Sequence, residues 1–529
     1  MTPSRRASSS RVVAVSLVGH RSPGRDSRCL LRLLIYYRRM ETIRRSVGVN
    51  RSEALLAQLC DRAFLPLWCY PNLFRGKGKE LADVVIVFGD DVILISDKAC
   101  AYPETGKSDV DWQRWKSKSI DSAVDQLRRA ENWLRKYPTE VYLDAKCTRP
   151  FPLTINPGGR FHRVLVARNA KDRCSKAYPG SGSLVIHSPI VPMPEAPAPF
   201  QVYLSEYANF IHVLDDVTLP ILLSELDTAA DFIDYLAKKE AAFSPGHIAS
   251  SAGEEETLAV FLASTLHWAK DTQERAFPET NAESPIVILP GHWEALRGSK
   301  AYESKKRADQ VSYLWDGIIH AFGSGLLRGE APNPFNLSFT QLETIGRYLA
   351  SESRLERRLL AAAMVDARRR VTEDNAFNRT VLSRHRPALA YILSFVPRLE
   401  QSDEEYRQFR REHALLYASH TLRRLEEIEE VVVIATDSEE VEKHSFDFAL
   451  VLREDSDPEF DALVAEAAEE YGWESDRANL EWQPMWNREF PGVLDAPGTA
   501  KTRRELERRK RQKRRAQREV HRNARRRNR

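Results

Sequence analysis

Two apolar, β-branched runs, Val84-Val85-Ile86-Val87 and Val92-Ile93-Leu94-Ile95-Ser96, flank a Gly89-Asp90-Asp91 turn, and this pattern predicts a buried β-hairpin. Ahead of it, Ser52 to Cys60 places apolar residues at helical spacing behind a serine cap with Glu53 in the first turn. Phe64, Leu67, Trp68 and Tyr70 carry that hydrophobic surface on to Pro71. Residues 99 to 118 read as a polar insertion, after which Ile120, Val124, Leu127 and Leu134 mark an amphipathic helix ending near Tyr137-Pro138. Phe161 to Arg168 and Ser183 to His187 follow as strands. Helix, strand, strand, helix, strand is the order of a small α/β layer.

The pattern changes at Pro189 to Pro199, a proline-rich stretch that reads as an extended connector. Beyond it Asn209 to Val213 is a strand, and Ile221 to Leu236 keeps helical spacing behind an Asp216 to Pro220 start. Leu258–Trp268, Ala308–Phe322, Thr340–Arg368 and Glu404–Leu425 carry helical stripes, interrupted by strands at Ile286–Leu289 and Leu389–Phe395. Val431–Thr436 and Phe446–Leu452 then suggest a small sheet before a helix around Phe460 to Tyr471. The expected class is α/β in the α+β sense: a small mixed sheet flanked by helices, then a larger, mainly helical α+β region. The divisions are a leader at 1–39, an α/β domain at 40–188, a linker at 189–200, a mainly helical region at 201–425, a small α/β segment at 426–495 and a basic tail at 496–529.

Charge changes this picture more than composition does. The chain is net +4, but residues 501–529 alone carry 16 Lys/Arg against three Glu and residues 1–39 nine Arg against one Asp, leaving a central body near −17. The tail has almost no apolar stripe, so it reads as disordered or extended and suited to a polyanion; nucleic acid is the expected partner, and solubilisation or closure onto the acidic body the alternative. Met40 reads like a protein start, which makes residues 1–39 a disordered leader or upstream sequence outside the protein proper. No run approaches the ~18 apolar residues of a membrane span. Six cysteines (Cys29, Cys60, Cys69, Cys100, Cys147, Cys174) form no CxxC pair, so they read as thiols of a reducing, cytoplasmic compartment. His162, His187, His212, His267, His292 and His320 stand alone, without an HExxH or triad spacing.

Candidate chemistry sits on the hairpin. Asp83 opens its first strand, where a carboxylate can hold a hard divalent cation, and Lys98 closes the second, where an ammonium can orient water or steady a phosphorane. Ser96 shares a strand face with Lys98 while Asp97 points to the other, so a hydroxyl stands where a second acid would complete the site. Glu80, three residues before Asp83, is a possible substitute ligand or a solvated charge. An Asp83–Lys98 ion pair without catalysis is the alternative for the pair.

The order of elements, the Asp83 to Lys98 spacing and Gln126 on the following helix resemble the PD-(D/E)XK nuclease superfamily, closest to its Mrr and nuclease-related-domain branches, over about residues 50–190. The resemblance implies a restriction-endonuclease-like mixed sheet and phosphodiester hydrolysis with Mg²⁺ or Mn²⁺. It makes Asp83 the first metal-binding carboxylate, Lys98 the catalytic lysine, Gln126 the helix-borne glutamine and Glu53 the first-helix acid. Ser96 departs from the pattern and puts two-metal chemistry in question. The competing expectation is a catalytically silent nucleic-acid-binding or assembly protein that keeps the fold as a scaffold. A literal Asp144-Ala145-Lys146 also exists, but its upstream partners Asp121 and Asp125 fall on a helix. Further on, Tyr313, Trp315 and His320 read as core packing, and the arginines between Arg354 and Arg370 as a phosphate-tracking or a solvated, salt-bridged face.

Overall fold

A computed structural model describes residues 42–473 except 77, 264–266, 270–271, 275–276, 279–283, 332, 334–336, 372–375, 385, 399–400, 439–444 and 454–457. The leader, residues 474–495 and the basic tail therefore lie outside the described residues.

The first helix, α1 (Arg51–Phe64), begins two residues earlier than a Ser52 cap would set it. Asn50 is the cap, accepting from the Glu53 N–H, while the Glu53 carboxylate accepts in return from the Val49 N–H. At Leu65 the backbone turns to φ 64°, so the helix stops. Of the apolar residues beyond it, Leu67 and Trp68 lie in a turn and Tyr70 falls in strand β1 (Cys69–Pro71). The hairpin is present as β2 (Val84–Phe88) and β3 (Asp91–Lys98), antiparallel with Val84 opposite Ile95. Residues 99–118 are not an insertion without structure. They contain α2 (Ser108–Lys116), whose Trp112 and Trp115 are buried, joined through a π-helical turn at Ser117–Asp121 to α3 (Ser122–Lys136). Two tryptophans among charged neighbours anchor it, a burial that polar composition conceals.

Strand β4 (Arg160–Ala167) pairs parallel with β3, and a short helix α4 (Lys171–Ala177) leads to β5 (Val185–His187). The proline-rich stretch does not divide two packed units. After it β6 (Gln201–Tyr203) pairs with β5, and β7 (His212–Asp215) completes the first sheet beside β4, giving the order β1-β2-β3-β4-β7. His162 and His212, far apart in sequence, thus come to neighbouring strands.

The stripe from Ile221 to Leu236 is two helices, α5 (Thr218–Glu225) and α6 (Ala229–Phe243), because Thr228 caps a new start by accepting from the Asp231 N–H. Strand β8 (Ile248–Ser251), helix α7 (Glu254–Ala263), a short hairpin β9 (His267–Ala269) and β10 (Thr272–Glu274), and β11 (Ile286–Ile288) follow. β11, β8, β5 and β6 make a second sheet. Helices α8 (His292–Arg297), α9 (Lys300–Ala308), α10 (Tyr313–Arg328), α11 (Phe339–Ala350) and α12 (Arg354–Arg369) form the helical region. Its long 340–368 stripe is broken at 351–353, where Ser353 caps α12. In α10 Trp315 is core, whereas Tyr313 and His320 face outward.

A third sheet, β12 (Phe377–Leu382), β13 (Leu389–Val396), β14 (Glu430–Asp437) and β15 (Phe446–Leu452), is filled out by α13 (Asp403–Arg424) and α14 (Pro458–Glu470). It starts well before residue 426, because β13 and β14 are parallel and need the long α13 to cross between them. The molecule is α+β, and one hydrophobic core runs from Leu56 through the helical region to Ile434. Among the described residues no helix is long and apolar enough to cross a membrane.

Candidate functional site

The hairpin places its chemistry through strand ends. Asp83 lies just before β2 and Lys98 ends β3, so antiparallel pairing returns the lysine to the carboxylate, Nζ to Oδ2 at 3.9 Å. The Asp97 N–H also donates to Asp83 Oδ2. Ser96 is fully buried and donates to Gln126 Oε1 at 3.0 Å, and Lys98 Nζ donates to the same oxygen at 2.6 Å. Gln126 stands on α3, one helix of the continuous α2–α3 unit that the buried tryptophans hold against the sheet. The side chain of Asp97 points to the other face, taking both Arg168 and the Ser52 hydroxyl. The hydroxyl at 96 therefore anchors the glutamine that positions Lys98.

Glu53 and Glu80 arrive from the opposite side and meet at Asn72. Its Nδ2 donates to Glu53 Oε2 at 3.0 Å and to Glu80 Oε1 at 2.6 Å, while its Oδ1 accepts from the Ser46 hydroxyl and its N–H donates to the Asp83 carbonyl. Asn72 is buried at φ 52°, a left-handed conformation that asparagine tolerates better than most residues. Sequence reasoning passed over it; a lone Pro-Asn step after an apolar run was the only signal.

The acids feel one another. Burial pushes the Asp83 carboxyl above its usual range; Lys98 and the Asp97 N–H oppose this, and the charges of Asp97 and Glu53 add to it. Glu80 is raised too, first by partial withdrawal from water and then, against the Asn72 hydrogen bond, by Asp83 and Glu53. Asp83 Oδ1 and Glu80 Oε2 keep lone pairs with no hydrogen-bond partner among the described residues. Neighbouring carboxylates that are partly withdrawn from water and retain open oxygens suit a hard cation. Glu53 is less available, since both its oxygens are engaged by Val49, Asn50 and Asn72. The three acids do not bring one oxygen each within 4.8 Å of one another; among the described residues only His162, His212 and Glu240 do so.

Asn72 also lines a cleft of about 780 Å³ with Thr42, Arg44, Arg45, Ser46 and Arg149 among its walls. Arg45 is pinned by Asp61 through two hydrogen bonds, whereas Arg44 is exposed. The alternative Asp144-Ala145-Lys146 is a turn: Asp144 accepts from Thr148 and Arg149, chiefly the Thr148 N–H, and is held down at about 2. The arginines expected as a phosphate-tracking or a solvated, salt-bridged face divide along α12: Arg369 at its end is exposed, but those at its start are not. Arg354 and Arg357 are buried and bound to Asp227 and Asp316. No family model, curated protein or solved structure matches the chain.

Proposed function

We propose that the hairpin site hydrolyses phosphodiester bonds of nucleic acid with Mg²⁺ or Mn²⁺. The observation that carries this reading is the convergence of Asp83, Lys98 and Gln126, from two strand ends and a helix, beside acids with open oxygens. Asp83 and Glu80 would hold the ion, which supplies Lewis-acid polarisation and a water of lowered pKa. Lys98, fixed by Gln126, orients the attacking water or stabilises the charge that builds on the phosphate oxygens. Arg44 and Arg149, exposed on the neighbouring cleft, offer phosphate contacts, and the basic ends of the chain add sequence-independent attraction.

A second reading, a silent nucleic-acid-binding scaffold, draws support from Ser96 in the place of an acid and from the engagement of Glu53 in its helix cap. Incubating residues 40–529 with labelled single- and double-stranded DNA and RNA, in Mn²⁺ or EDTA, separates the two. The first reading expects metal-dependent cutting that falls by at least ~10²-fold in Asp83→Ala and Lys98→Ala. Salt-sensitive binding without cutting, abolished by removing residues 501–529, selects the scaffold.

A further inference from the structure

We propose that the protein binds a divalent transition-metal ion of the zinc class between His162 on β4, His212 on β7 and Glu240 on α6. The topology creates the site. Parallel pairing sets Val164 opposite His212, so His162 stands two residues away on the same sheet face, its ring centroid 6.3 Å from that of His212. Helix α6 brings Glu240, and one ligand atom from each of the three lies within 4.8 Å of the others. Metal–nitrogen bonds of ~2.0–2.1 Å require ligand separations a little over 3 Å, which modest side-chain closure reaches.

Orphaned ring nitrogens point independently to a ligand. His212 is 1% exposed, and neither of its nitrogens has a hydrogen-bond partner; His162 is 3% exposed, and its Nδ1 has none. An unmet buried polar atom forfeits its hydration without replacement, so native interiors seldom keep three together. His162 Nε2 lies 3.2 Å from Asp91 Oδ1, and Arg160 fixes the other Asp91 oxygen at 2.7 Å. Donation from Nε2 to Asp91 leaves the Nδ1 lone pair for the ion, a carboxylate–imidazole–metal relay. The nearby cations are already committed, Lys239 to Glu254 and Arg163 to Glu131. Two imidazoles and one carboxylate favour zinc-class ions over Mg²⁺ or Ca²⁺. Depth in the core makes the role structural, tying β4 and β7 to α6. His162 stands opposite Ile93 of β3, five residues or ~16 Å along the strand from Lys98 and on the alternate sheet face, so the site is separate from the acid–lysine cluster.

The test is metal content and thermal melting of the full chain after loading with Zn²⁺ and dialysis. The expected result is about one Zn²⁺ retained per chain and a melting midpoint roughly 5 °C higher than after chelation, with Mg²⁺ unable to restore it. Co²⁺ in its place should give visible ligand-field bands. His212→Asn should lose the ion, and Glu240→Gln, half-buried and less disruptive to folding, should weaken retention at least tenfold while Asp83→Asn leaves it unchanged. Failure to retain Zn²⁺ with no shift in melting, or retention undiminished in Glu240→Gln and His162→Asn, overturns the proposal.

Discussion

Asn72 shows how much a single side chain carries. It joins Ser46, Glu53 and Glu80 through its amide and Asp83 through its backbone, so the acids are held at fixed spacing instead of repelling one another apart. Replacing it with alanine removes three side-chain hydrogen bonds and strains the positive φ; a loss of about 1–3 kcal/mol in urea unfolding is expected. Asn72→Gly relieves the strain but not the lost bonds, so it should recover only part of that loss, and full recovery would show the hydrogen bonds to be idle. Asp83 and Lys98 were legible in the sequence because charges at the ends of apolar strands are conspicuous. Their link through Ser96 and Gln126 was legible only as a resemblance, since serine and glutamine are unremarkable residue types. Asn72 was not legible at all: its meaning lies in a backbone angle and in partners up to 26 positions away.

At the scale of elements, strands with continuous apolar runs were read almost to the residue, as in β2, β3, β13 and β14. Helices were over-extended wherever a capping residue interrupts a stripe, at Thr228 in one case and Ser353 in another, because apolar spacing continues across the break while the chain direction changes. Buried charge is hidden from the sequence in the same way. Arg410 on α13 looks like a solvated helix residue, yet it is fully buried between Asp437 on β14 and Asp447 on β15. It locks the helix across both strands. Arg410→Ala leaves Asp437 without a cation and Asp447 with Arg411 alone, at 3.6 Å, and should cost about 3–5 kcal/mol, read as an earlier denaturant midpoint. A change within ~1 kcal/mol would mean that water replaces the guanidinium there.

For the whole molecule, a continuous core joins what the composition shift at Pro189 had suggested were separate parts. Glu255, packed at the junction of α7 with the second sheet, gives that unity a pH dependence. Burial raises its carboxyl from the ordinary 4.5 to about 7, against hydrogen bonds from Ser181 and Ser183. Because the folded state holds this proton more tightly than the unfolded chain, its contribution to stability is undiminished below pH 4.5 and falls as pH rises towards about 7. Glu255→Gln should remove that slope and stabilise the protein at pH 8 by on the order of 3 kcal/mol, followed by thermal melting between pH 5 and 8. An unchanged slope would place the titrating group elsewhere.

The most direct test of the proposed chemistry is the rate of nucleic-acid cleavage by the full chain as Mn²⁺ is raised, compared among wild type, Asp83→Asn, Glu80→Gln and Lys98→Met. Saturable cleavage is expected in the wild type. Removing either carboxylate should shift the curve to higher Mn²⁺ or abolish it, and Lys98→Met should lower the plateau without moving the midpoint. Binding without cleavage at any Mn²⁺ concentration, or a curve unaltered by all three substitutions, would contradict the assignment of this site as a nuclease centre.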